Sequence, residues 1–278
     1  MTDYRRADRG GRGDNPAMKI ATWNVNSLKV RLPHVLDWLV LQQPDALCLQ
    51  ETKTEDKGFP FDELAAAGYR AVHNGQKTYN GVAILTRVDP LDVLRDIPAF
   101  DDEQKRVIAV TLGEGDAATR IVCGYMPNGQ AVGSDKYAYK LRWFAALYDW
   151  LRDELQRYPR LALLGDFNIA PDDRDVHDPV AWKDQILCSD AERAAYQGLL
   201  GLGLSDAFRQ FEQADKSYSW WDYRDLGFRR NKGLRIDHIL LSVPLAASCQ
   251  RCSIDKAPRK LERPSDHAPV FAELADPA

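Results

Sequence analysis

No run of apolar residues in this 278-residue chain comes near the ~20 needed to cross a bilayer, which excludes a helical membrane span. The N-terminus carries no apolar stretch of the signal-peptide kind, so a cytoplasmic location is expected. Cysteine is sparse, with five scattered residues. Cys48 and Cys123 stand in apolar, strand-like runs, where a thiol acts as a small hydrophobe. Cys249 and Cys252 form a CxxC, but no second ligand pair stands near it at zinc spacing, and reduced thiols without function are expected. The chain has no HExxH, no glycine-rich nucleotide loop and no Ser/His/Asp nucleophile pattern. A covalent intermediate on such a nucleophile is therefore not expected. After residue 18 no linker-like stretch interrupts the chain, which argues for one domain over residues 18–278.

What is present is a globular composition, with 45% apolar and 28% charged residues. Residues 1–17, polar and rich in Gly and Arg, read as a disordered tail, and Met18 could serve as an alternative start. The net charge of −4 hides local fields. RDLGFRRNKGLR (224–235) carries five basic side chains against one acid, and RCSIDKAPRKLER (251–263) five against two. Both runs lie beside candidate site residues, which suggests surfaces facing phosphate.

Helical and strand-like periods alternate along the chain. KIATWNV, DALCLQE, GVAILTR, RVIAVTL, TRIVCGYMP, RLALLGDFN, GLRIDHILLS and HAPVFAEL read as strands. RLPHVLDWLVLQQ has helical spacing, with Val35, Leu36, Leu39 and Val40 expected on one buried face, and residues 135–158 read as a long amphipathic helix. The two halves echo each other: strand, Asn-bearing loop, helix, apolar strand, acid. The expected fold is an α/β sandwich, with two sheets face to face and helices outside.

Polar residues collect where the apolar strands end. Asn24 and Asn26 follow IATW, Glu51 follows ALCLQ, Tyr125 follows IVCG, and Asp166 and Asn168 follow LALLG. Asp237 interrupts GLRIDHILLS, and Asp266 and His267 lie in PSDHAP, where prolines stiffen the loop. Each alone could be a strand or turn cap; gathered on one rim they suit phosphodiester hydrolysis. A hard cation such as Mg²⁺ takes one or two carboxylates and keeps several waters. A carboxylate can accept the proton of the attacking water. Asn, Tyr and His can donate to the phosphorane oxygens. His267 must stay protonated and correctly aimed, and Asp237 is the candidate partner that holds it. Asp266 would order the metal or its waters.

These residues resemble those of the exonuclease III family of apurinic/apyrimidinic (AP) endonucleases, in the endonuclease/exonuclease/phosphatase superfamily. The likeness runs from about Lys19 to Leu274 and rests on TWNVNSL, LQETK, GYMPNG, LLGDFNIAP, YSWWDYR, GLRIDHIL and PSDHAPV. It implies a four-layer α/β sandwich of two mixed sheets. It also implies cleavage of duplex DNA 5′ to abasic sites, 3′→5′ exonuclease action and clearing of blocked 3′ ends, with Mg²⁺ or Mn²⁺ as cofactor. A monomer acting on double-stranded DNA is expected. By position it makes Glu51 the principal metal ligand, with Asn24 beside it and Asp266 completing the metal region. Tyr125 would contact the scissile phosphate. Asp166 would align or deprotonate the water, or protonate the leaving group. Asn168 would support Asp166, and Asp237 would orient His267 on a phosphoryl oxygen. Gln76, Lys77 and Tyr79 in NGQKTYNGVA, together with Asn128, are expected against the DNA backbone, and Trp220, Leu234 and Ile236 around a flipped abasic sugar. Asn26 stands where some relatives carry Asp, so no metal role is assigned to it. Two alternatives compete: another superfamily phosphoesterase, acting on lipid or inositol phosphates or on DNA unspecifically, and a catalytically inert DNA-binding module.

Overall fold

Two strand–helix–strand units set the frame. In the computed structural model, which describes residues 18–275, β1 (Met18–Asn24) leads through α1 (Leu28–Gln42) into β2 (Ala46–Gln50). There follow α2 (Phe61–Ala66), β3 (Arg70–Asn74), β4 (Val82–Thr86), β5 (Leu91–Arg95) and β6 (Val107–Leu112). β7 (Thr119–Tyr125) then leads through α3 (Asp135–Arg157) into β8 (Leu161–Asp166). The chain continues with α4 (Asp190–Gly201), β9 (Ser205–Asp206), β10 (Trp220–Trp221), β11 (Gly233–Leu234) and β12 (Asp237–Leu241). It closes with α5 (Val243–Ser248), β13 (Cys249–Ile254) and β14 (Val270–Leu274). The tail expected at residues 1–17 lies outside the described residues.

One sheet has the order β13-β14-β1-β2-β4-β3 and the other β5-β6-β7-β8-β12-β9. β1 pairs parallel with β2 and β7 with β8, while their outer neighbours run antiparallel, so both sheets are mixed. Period-two alternation sorts the side chains into layers. Ile20, Cys48 and Ile84 of one sheet meet Ile121, Cys123, Leu164 and Ile239 of the other. Ala21, Trp23 and Leu49 face outward onto Val35 and Leu39 of α1, and Val122 and Leu163 onto Phe144 and Leu147 of α3. The result is a four-layer α/β sandwich. No helix among the described residues is long and apolar enough to cross a membrane.

Three details depart from the sequence reading. Val40 is 66% exposed, and Trp38 takes its place on the buried face of α1. At about 100° per residue, position 40 is rotated roughly 140° from Val35, whereas position 38 stays closer to the stripe. GLRIDHILLS is not one strand, because β11 pairs with β10 and β12 joins the large sheet. The apolar pattern does not mark the edge strands β3, β5 and β13, because each has a single paired neighbour and its apolar signal is diluted.

The topology brings the strand-end residues to one rim. Parallel pairing sends the carboxyl ends of β1 and β2 the same way, and likewise those of β7 and β8. β12 is antiparallel to β8, so Asp237 at its start stands opposite Asp166 at the end of β8. β14 is antiparallel to β1, with Thr22 opposite Val270, which leaves the 264–269 loop beside the end of β1.

Just before this rim Gly124 and Gly165 face each other across β7 and β8. A Cβ on Gly165 would lie 1.9 Å from the Gly124 carbonyl oxygen, and backbone cannot move aside as a flexible side chain can. Gly165→Ala should therefore destabilise the fold by at least the ~1–3 kcal/mol usual for overpacking. Urea denaturation would show a lower midpoint with an unchanged slope; a wild-type midpoint would mean the strands part here at no cost.

Candidate active site

The turn after β2 is built to expose one carboxylate. Glu51 and Lys53 both adopt left-handed backbone, with φ of 53° and 54°. Such conformations cost about 1–3 kcal/mol each unless the surroundings enforce them. Here they do. Ser27 N–H donates to Glu51 O at 2.8 Å, Thr52 N–H to Gly81 O at 3.1 Å and Lys53 N–H to Asn80 O at 3.0 Å. Glu51 Oε1 accepts from Asn24 Nδ2 and from the Tyr125 hydroxyl, both at 2.9 Å. Its Oε2 lies 2.8 Å from the Lys53 ammonium, which also donates to Asn26 Oδ1 at 2.6 Å. Burial alone would raise the Glu51 pKa; the Lys53 charge and the Asn24 hydrogen bond outweigh it, so the carboxyl is held below its ordinary value. Tyr125 is pushed well above its ordinary value, first by burial and then by the Glu51 and Asp166 charges, and so keeps its proton.

The second part of the site is an ion triad. Asn24 Nδ2 also donates to Asp166 Oδ2 at 2.9 Å, which links Glu51 to Asp166 through a single amide. His267 Nδ1 donates to Asp237 Oδ2 at 2.9 Å, while its Nε2 lies 3.7 Å from Asp166 Oδ2. Asp166, Asp237 and His267 are all buried, and their ligand atoms lie within 4.8 Å of one another. Burial lowers the His267 pKa, but the Asp237 and Asp166 charges more than offset it and push it up to about 10. An imidazolium donates protons and does not ligate a cation, so the triad reads as an ion-pair cluster. Burial raises the Asp166 carboxyl to about 7, the His267 charge holding it back and Asp237 adding to the rise.

Neighbouring groups fix these side chains. Asn168 N–H donates to Asp166 Oδ1 at 2.9 Å, and its Nδ2 to Met126 O at 3.0 Å. Asn128 Nδ2 donates to Asn168 Oδ1 at 3.1 Å. Asp266 does not reach Glu51 directly: it accepts from Asn26 Nδ2 at 2.9 Å and from the Trp220 indole N–H at 3.0 Å. Its link to Glu51 runs through Asn26 and Lys53.

The remaining expected residues fall in two places. Lys77 and Tyr79 are exposed on the loop before β4, while the Gln76 side-chain carbonyl accepts from Asn80 Nδ2 at 2.8 Å and Lys105 N–H at 3.1 Å. Trp220 is half-buried, but Leu234 and Ile236 are fully buried with Val176, Leu187 and Cys188, so they back the apolar wall and do not face outward.

Sequence reasoning passed over Lys53 and Lys140. Lys140 is fully buried on α3 and donates to Asn168 O at 2.6 Å, Asn128 O at 3.1 Å and Glu192. A signal was there: Lys140 falls on the stripe of Tyr137, Phe144, Leu147 and Leu151, where an apolar residue is expected.

Residues 21–267 match the model of the endonuclease/exonuclease/phosphatase family. The chain is 38% identical over 267 residues to exodeoxyribonuclease III of Haemophilus influenzae, covering 92% of this chain and all of that protein. A 3′ phosphatase from Neisseria, solved bound to a product DNA hairpin, superposes with a TM-score of 0.90 at 50% identity, over 93% of this chain and 99% of that one. An AP endonuclease from Archaeoglobus fulgidus superposes with a TM-score of 0.88 at 37% identity, over 92% of this chain and 99% of that one.

The triad generates a titration test. The His267 value lies above its ordinary 6.5, so its contribution to stability is full below pH 6.5 and is lost as pH rises through about 10. In Asp237→Asn the midpoint should fall toward 6.5, followed on the metal-free protein by NMR of the ¹⁵N-labelled imidazole. A midpoint that stays near the wild-type value would show that Asp166 alone holds the charge.

Proposed function

The chain belongs to the endonuclease/exonuclease/phosphatase family, and on that premise we propose that it is a DNA-repair phosphodiesterase. It cleaves duplex DNA on the 5′ side of abasic sites and removes nucleotides and blocking phosphates from 3′ ends. The observation that carries this reading is the continuous chain Glu51–Asn24–Asp166–His267–Asp237, which holds three carboxylates and one imidazolium on a single rim. The names of the similar proteins support it: an exodeoxyribonuclease III, a 3′ phosphatase holding product DNA and an AP endonuclease.

The Glu51 region fits a hard divalent cation. Its carboxylate is ionised, and the Lys53 ammonium already sits where the oxygens of Glu51 and Asn26 converge. Glu51 would hold Mg²⁺ or Mn²⁺, with Asn24 beside it and Asp266 acting through Asn26. When bound, the cation neutralises charge that builds on the phosphoryl and leaving oxygens.

The protein's own groups do the rest. His267 Nε2 is too far from Asp166 to spend its proton there, so it can donate to a phosphoryl oxygen. Asp166, raised toward neutrality, is suited to take the proton of the attacking water near its working pH. Asn168 and the Asn24 amide fix both Asp166 oxygens in place. Tyr125 keeps its hydroxyl proton and presents it beside Glu51. Lys77 and Tyr79 grip the backbone without reading sequence, helped by the basic stretches at 224–235 and 251–263.

The deciding experiment compares abasic, 3′-phosphorylated and undamaged duplexes, each with Mg²⁺ and with excess chelator. Cleavage only with the cation is expected; no turnover of any of the three would leave a DNA-binding module instead. Asp166→Asn should keep the fold and DNA affinity and lose roughly 10²–10⁴-fold in rate. A variant within about tenfold of wild type would move water activation elsewhere.

Abasic selection rests on shape, since a sugar without a base offers little to hydrogen-bond. The open face of Trp220 lines the sugar pocket, and Leu234 and Ile236 stiffen it from behind. Trp220→Ala should cost about 1–3 kcal/mol on abasic DNA and less on 3′-phosphate removal. Trp220→Phe keeps the ring but not the N–H to Asp266, and should retain abasic cleavage. Equal losses in both variants on both substrates would assign Trp220 to holding Asp266 alone.

A further inference from the structure

We propose that Arg259 is a positioning residue for the reaction centre, acting through Ser265 on both Asn24 and His267. Arg259 is only 6% exposed. Its guanidinium lies 4.8 Å from the Phe228 ring centroid and 5.7 Å from those of Trp221 and Tyr223. Its Nε–H has no partner among the described residues, and its Nη1 donates to the Ser265 carbonyl. A buried guanidinium with so few hydrogen bonds is costly, and surrounding rings offset that cost only in part. The one directional contact it makes is therefore the informative one.

Ser265 is where the two halves of the site meet. Its hydroxyl donates to the Asn24 carbonyl at 2.7 Å and accepts the His267 backbone N–H at 3.2 Å. The Asn24 side chain bridges Glu51 and Asp166, and the His267 ring bridges Asp166 and Asp237. One peptide thus sets the separation between the carboxylate that would take the water proton and the imidazolium that would face the phosphoryl oxygen. Arg31 secures the same loop from the solvent side, donating to the Arg263 and Pro264 carbonyls at 3.1 and 3.0 Å. Arg259 pins it from within. Without the guanidinium the Ser265 carbonyl loses its anchor, and the peptide can rotate while Asp237 still holds the ring at Nδ1.

This inference rests on the proposed hydrolysis, so its test includes a readout independent of turnover. Arg259→Met should lower kcat about ten- to hundredfold, the scale of a small misplacement. KM should stay within about twofold, because the Arg259 guanidinium is buried and, unlike the exposed cations of its stretch, does not itself face solvent. In the metal-free full chain the His267 imidazole NMR signals should shift. Arg259→Lys keeps a cation over the rings but lacks the planar fork, and should fall between. Ser265→Ala should resemble Arg259→Met, and the double variant should be no worse than the poorer single one. Wild-type imidazole signals in Arg259→Met, or additive losses in the double variant, would overturn the proposal, as would a kcat loss accounted for by the unfolded fraction. If Arg259→Met does not fold, Arg259→Lys alone and combined with Ser265→Ala takes its place with the same outcomes. Should the wild type cleave no DNA, the imidazole signals still decide whether Arg259 sets the position of His267.

Discussion

Three carboxylates cannot share a buried rim unless cations stand among them, and the structure around the site is arranged to meet that constraint. Asp166 and Asp237 face each other across β8 and β12, and the imidazolium of His267 lies between them. Glu51 is balanced by Lys53 on one side and by neutral donors on the other. The cost of burying such charge is recovered only when the geometry is tight and the remaining lone pairs are occupied. That is why amides recur at this rim: Asn24, Asn26, Asn128 and Asn168 each fill an acceptor or hold a neighbour.

The fold supplies the convergence through two copies of one device. Each parallel pair, joined by a helix on the outer face, delivers two strand ends to the same side of its sheet. The antiparallel partners β12 and β14 start where those pairs end, so they add Asp237 and the PSDHAP loop without any long excursion. Packing the sheets face to face then places Asn24 of one beside Asp166 of the other. Chemistry and layer architecture depend on the same register, since a one-residue slip would turn Asp166 away and bury Gly165 in its stead.

The strand ends were legible because buried strands are short apolar runs, and where the run stops the side chains must meet water or each other. Glu51 and Asp166 could be named for that reason, Asp237 as the acid that interrupts an apolar run, and the Asp–His pair from the chemistry a protonated imidazole requires. The resemblance of LQETK, GDFNIAP and SDHAPV added the order of roles. The edge strands were not legible, since a strand with one paired neighbour carries a diluted pattern. Val40 leaves the expected buried face because one position along a helix changes the face by about 100°.

By itself the sequence determined the layers, the strand ends and the set of side chains available for chemistry, because apolar period and residue type are local properties of the chain. Only the tertiary structure decided which of those side chains touch. Ser265 meets Asn24 across 241 positions, Trp220 gives its indole proton to Asp266, and Lys140 reaches from a helix to the backbone of two loops. Such contacts depend on strand register and sheet-to-sheet packing, which arise from the whole core at once; a short stretch can mark that Lys140 is buried, but not which groups it meets.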